Sequence, residues 1–158
     1  MGRNLARNGD AGGLAHFKTA FDLALEIPHP AGMITSLNAL AWYGQNYDIR
    51  DASDYSEEAL YIMGKYYESP QFYIFDTAFD VMKKAENAFV YEVSKDLFSI
   101  YETLSPEVRK KYKNTLSNVK NFLSISEYAI DGKITRFLRK LKKTIIFSGS
   151  QMSRSKIS

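Results

Sequence analysis

The side chains that most often do chemistry are few in this chain of 158 residues, and they are scattered. There is no cysteine, which excludes disulfides, thiolate metal sites and cysteine nucleophiles. The two histidines are His16, beside Phe17, and His29, between Pro28 and Pro30. Neither has a second His or a carboxylate at ligand spacing. Asp48, Asp51 and Asp54, followed by Glu57 and Glu58, form an acidic cluster. Its spacing lacks the alternating ligands and the closing Gly of a calcium loop. A solvated loop running into a helix N-terminus, where negative charge is favourable, accounts for it better. Gly9, Gly12 and Gly13 evoke a phosphate loop, but no Lys-Ser/Thr pair follows and no strand precedes. The serines lack a nucleophile-elbow motif. The expectation is a non-enzyme with neither metal nor cofactor.

Binding chemistry is better represented. Asn38, Trp42 and Asn46 recur at steps of four and share one helix face. Asn amides can hydrogen-bond a peptide backbone and Trp42 can anchor a partner, which makes these three the expected peptide-binding groove. Tyr43, Tyr47, Tyr55, Tyr61, Tyr66, Tyr67 and Tyr73 add aromatic surface. The competing reading places most of these rings in an inter-helix core.

Near the C-terminus, Ile134, Phe137, Leu138, Leu141 and Ile145 fall on one helical face. Lys133, Arg136, Arg139, Lys140 and Lys143 take the rest of the circumference, and Arg154 and Lys156 follow. Nucleic-acid phosphates, an anionic membrane surface or a partner's acidic groove would each suit such a basic amphipathic helix. The bland alternative is a surface helix packed through its apolar stripe.

The elements that must position these groups read as helices throughout. Leu14, Phe17, Phe21 and Leu25 line one face of the first, after a turn at residues 8–13, and Pro28 to Pro30 stop it. The second is predicted over about 31–47, with Met33, Leu37, Leu40 and Ala41 inward. Residues 48–53 read as a loop, with Asp54 or Ser56 capping a third helix that holds Ala59, Ile62, Met63 and Tyr66. Further helices are predicted over about 70–85 and 88–103. Ser105-Pro106 starts a basic helix to about 123, and the last helix runs over about 133–147. No segment alternates with period two, so the fold class is all-α.

Charge divides the chain. Residues 1–105 hold 8 Lys+Arg against 15 Asp+Glu, a net −7; residues 106–158 hold 13 against 3, a net +10. Such asymmetry points to an anionic partner for the C-terminal part, or to docking of that part on the protein's own acidic body. Three regions follow: an acidic array over 1–105, a basic helical extension over 106–147, and a Ser-rich basic tail over 148–158 that is expected to be disordered. No apolar stretch reaches membrane-span length and the N-terminus has no signal-peptide core. The lack of Cys fits a reducing compartment, and the expected setting is cytoplasmic.

Pro28, Pro70 and Pro106 close successive pairs of predicted helices, at intervals of 42 and 36 residues. That rhythm is the signature of stacked helical hairpins. Locally it resembles the tetratricopeptide repeat: Gly13, Phe17 and Ala20 match the small–aromatic–Ala pattern of a second helix. Residues 36–43, with Leu40-Ala41, resemble a first helix, and residues 54–59, with Ala59 in the small slot, resemble the start of the next second helix. Met63 takes the aromatic slot there, and Tyr66 stands where a small residue belongs. The likeness covers residues 8–66; over 67–104 it is one of helix rhythm alone. It implies an α-solenoid whose first helices line a concave face for a peptide, a protein partner or a second copy of the chain, with a basic C-terminal helix. It also implies that the first helix of the opening hairpin lies before residue 8, so the chain is expected to begin in mid-repeat. Residues 149–158 resemble the opening of a helix-turn-helix that stops where the recognition helix should begin. The whole is similar to regulators that couple a helical-repeat sensor to a DNA-binding element.

Overall fold

Side-chain caps at His29, Asp48 and Ser105 start three of the helices. In the computed structural model, which describes residues 11–126, α1 spans Gly12–Glu26, α2 Pro30–Gly44 and α3 Ile49–Tyr66. Helix α4 spans Phe72–Lys84, α5 Val90–Tyr101 and α6 Pro106–Lys111. Residues 113–126 are helical as well, and no described residue lies in a strand. The chain divides into two units, Met1–Lys120 and Asn121–Ser158. The fold described below is that of the first.

The caps are specific. Pro30 occupies the first position of α2, where its missing N–H is no loss, and His29 Nδ1 accepts from Gly32 N at 2.9 Å. Asp48 Oδ1 accepts from Arg50 N and Asp51 N at 2.9 and 3.0 Å, satisfying two of the orphan donors that open α3. Residues 49–53, expected to loop, are therefore the first turns of α3. Asp48 is a strong cap, and the charged residues after it form a solvated helix face. Ser105 accepts from Val108 N at 3.5 Å and Pro106 starts α6, as the Ser-Pro signal predicts. That basic helix is broken at Tyr112 before helical structure resumes at residue 113.

Helices α2, α3 and α4 pack around small side chains. Ala41, Ala52 and Val81 are fully buried in one cluster, with Ile49 and Tyr55 against it. Their small volumes let the three backbones approach closely. Leu37, Leu40, Ile74, Phe79, Met82 and Leu97 complete the interior. Helix α1 packs on α2 through Phe17, which stacks on Tyr43 at 5.6 Å, and through Ala24. A Cβ on Gly32 would meet Ala24 Cβ at 3.0 Å, so a glycine is what this crossing accommodates. The buried face of α1 is Gly13, Phe17 and Ala24. Leu25, expected inward, is exposed, as is Ala20. Phe17, flanked by the small Gly13 and Ala24, turns this face toward α2 in place of the one that carries Leu25.

Residues 106–120 belong to the first unit although their charge sets them apart. The Tyr112 ring lies 4.4 Å from that of Phe72, and Thr115 Oγ1 donates to Asp76 Oδ1 at 2.7 Å. Val119 is fully buried. Arg109 donates from Nε to Leu104 O at 2.8 Å and from its guanidinium to Glu102 O. Through these contacts residues 106–120 pack against α4 and the end of α5 within the first unit.

Candidate functional site

Helix α3 carries a stripe that sequence periodicity alone does not single out. Glu57, Leu60, Tyr61 and Gly64 follow one another at helical spacing and, with Glu68 just beyond the helix end, line a cleft of about 670 Å³. Helix α5 supplies Glu92, Val93 and Asp96 with Phe89 at its start, and α4 supplies Phe75 and Met82. Met63, Tyr67 and Pro70 complete the lining around the α3–α4 turn. The volume lies within the roughly 300–1,000 Å³ usual for ligand sites.

The cleft has an apolar interior and an acidic edge. Glu57, Glu68, Glu92 and Asp96 line it, and no Lys, Arg or His does. A smaller cavity of about 370 Å³ shares Glu57 and Tyr61 and adds Asp54 and Glu58, extending the acidic surface along α3. Tyr61 and Phe89 are 69% and 60% exposed and put two aromatic rings at the mouth of the cleft. Lys95 pairs with Glu92 at 2.7 Å on the outer side of α5, and that hydrogen bond pushes the ammonium pKa up.

One asparagine ties this wall to the rest. Asn87, in the α4–α5 turn, donates from Nδ2 to Ser53 Oγ at 2.8 Å and to the Glu57 carboxylate. Its Oδ1 accepts from Phe89 N at 2.9 Å. The turn is tight enough to hold Glu86 at φ 54°, a left-handed conformation that is strained for a non-glycine residue by about 1–3 kcal/mol. Asn87 therefore links α3 to the start of α5 and positions Phe89 at the mouth of the cleft.

The residues expected to bind a peptide lie elsewhere. Asn38 is half-buried on α2, and Trp42, one turn on, is 45% exposed. Helix α2 ends at Gly44, so Asn46 sits in the following turn and not on the helix face with them. None of the three lines the α3–α4–α5 cleft. Lys133, Arg136, Arg139, Lys140, Lys143, Arg154 and Lys156 lie outside the described residues, as do the expected tail over 148–158 and residues 127–147 of the basic extension. The signal that would have found the cleft was present: a glycine in the last turn of an amphipathic helix, with an acid and a tyrosine on the same side.

Histidine and carboxylate chemistry does not converge. His29 serves as a helix cap and His16 is exposed. Among the described residues no group of three or more His, Cys, Asp or Glu stands close enough to share a metal ion. No helix among them is long and apolar enough to cross a membrane. No family model, curated protein or solved structure matches the chain.

Proposed function

We propose that this protein is an interaction module that takes a peptide or protein partner into the α3–α4–α5 cleft. The observation that carries the reading is the cleft itself, about 670 Å³ of apolar space with two exposed aromatic rings, Tyr61 and Phe89, at its mouth. Exposed aromatic rings, large and with few rotatable bonds, are what binding hot spots are made from. The order of packing supports a helical-hairpin array of the tetratricopeptide type. Helix α4 meets both α2 and α3, as one hairpin stacking on the preceding one requires. On that reading α3 and α5 are second helices, and the cleft belongs to them and not to the first helices that carry Asn38 and Trp42.

Selection of displayed helical peptides on the full chain tests this reading. Enriched peptides are expected to lose roughly ten- to a hundredfold in affinity for Tyr61→Ala or Phe89→Ala. Both side chains are exposed, so the fold survives either change. Peptides that bind these variants as well as the natural chain would refute a cleft-centred interaction.

A second reading rests on the division of charge, −7 over residues 1–105 and +10 over 106–158: the basic C-terminal part contacts nucleic-acid phosphates. Counterion release makes such binding fall steeply with salt. Affinity for a DNA or RNA duplex that ignores salt, or that survives replacement of Lys133, Arg136, Arg139, Lys140 and Lys143 by Gln, rejects it.

A further inference from the structure

We propose that the occupant of the cleft is a basic amphipathic helix of a partner protein. Its apolar stripe lies on Leu60, Phe75 and Val93, and its lysines or arginines meet the acidic edge. The inference rests on the peptide-binding reading above and names the chemistry of the partner.

Charge is the first argument. Four carboxylates line the cleft with no cation among the lining residues, and Asp54 and Glu58 continue the acidic surface beside Glu57. Glu57 and Glu92 are engaged by Asn87 and Lys95. Glu68 has no hydrogen bond or ion pair among the described residues. An apolar channel edged by one sign of charge favours a ligand of the opposite sign and repels an acidic one.

Shape is the second argument. The α3 stripe from Glu57 to Gly64 runs about 10 Å at 1.5 Å per residue, the length of two turns of a partner helix, and Glu68 continues the edge in the turn that follows. Such a helix presents anchors at i, i+3, i+4 and i+7. The walls are themselves helices, whose backbone N–H and C=O groups are already bonded along their own axes. An extended peptide would find no main-chain ladder here.

Gly64 is the third. It stands in the last turn of α3 with nothing inside 4 Å of where a Cβ would be, although alanine is the better helix former. The missing side chain opens the channel between Leu60 and Glu68, where a large apolar anchor fits. A side chain at this position would enter the open space of the cleft.

The test uses the full chain and two synthetic helical peptides, labelled for anisotropy. Both carry leucines at i, i+3, i+4 and i+7, one with lysines and the other with glutamates elsewhere. The Leu/Lys peptide is expected to bind and to weaken roughly tenfold from low to high salt. Gly64→Leu places a side chain in the channel, with open space at its Cβ, and should weaken binding at least about tenfold while leaving the thermal midpoint unchanged or higher. Glu68→Lys, at an exposed position, should weaken the Leu/Lys peptide and favour the Leu/Glu one. Equal binding of both peptides, sensitive to Gly64→Leu, overturns the basic occupant but leaves the cleft as a binding site. Binding that ignores Gly64→Leu overturns both. Binding that emerges only when Lys133, Arg136, Arg139, Lys140 and Lys143 are replaced by Gln makes the chain's own basic stretch the occupant, against the proposal. Self-association lost in Gly64→Leu, with neither peptide bound, makes a second copy the occupant and also overturns it.

Discussion

Asp76 shows how a single carboxylate is set by its surroundings. Burial pushes its pKa up, the hydrogen bond from Thr115 and the charge of Lys111 pull it down, and the neighbouring Asp80 adds to the rise. The net direction is upward, so the folded state binds the proton more tightly than the unfolded chain. Stability contributed by this group is therefore highest in acid. It falls as pH rises from the ordinary carboxylate value of 3.8 through the raised folded value, and is level above it. Asp80 is raised as well, again by burial first, with Lys84 and Lys83 opposing, and it adds to the same slope. Asp76→Asn keeps an oxygen to accept the Thr115 hydroxyl and removes the disfavoured charge. Its thermal midpoint is expected to exceed that of the natural chain at pH 7 and to vary less with pH across the acid window. A lower midpoint at pH 7 would mean that the Thr115 bond depends on the charge.

At the level of single helices, the short side chains at the N-termini matter more than propensity along the helix. Asp48 satisfies two backbone donors of α3, and Asp48→Ala should lower the unfolding free energy by about 1 kcal/mol in urea titration. Asp54 lies exposed on the same helix, and Asp54→Ala should change it by no more than about 0.5 kcal/mol. Equal effects of the two would show that the charged stretch is not organised by its first residue. The same reasoning explains why residues 48–53 are hard to place from sequence. Asp, Arg and Ser are frequent in loops and in exposed first turns alike, and which of the two they form depends on whether the next apolar stripe finds a surface to pack on.

Across the first unit, the closeness of α2, α3 and α4 depends on alanines. Ala52 is fully buried against Ala41 and Val81, and Ala52→Leu should cost about 1–3 kcal/mol through overpacking, seen as a lower denaturant midpoint. Leu25 is 48% exposed, so Leu25→Ser is expected to change stability by less than about 0.5 kcal/mol. A large loss there would return that leucine to the core. The contrast follows from geometry: on a helix, neighbouring stripes are separated by only a few tens of degrees, and the partner's surface selects between them.

Much of this protein is legible without coordinates. Helical periodicity, the absence of alternating segments and the Pro and Ser signals at residues 28–30 and 105–106 are local properties, and they suffice for an all-α chain with most helices near their places. The same is true of the charge division, which is a count. The cleft is not local. Glu57, Leu60, Tyr61 and Gly64 acquire meaning only when α4 and the Asn87-pinned turn bring Phe89, Val93 and Asp96 opposite them. Asn38, Trp42 and Asn46 share a sequence interval of four, but α2 stops at Gly44. Periodicity states which residues lie on one side of a helix. Which side is buried, which is left open and where a helix ends depend on contacts between residues far apart in the chain, and those form only when the helices pack.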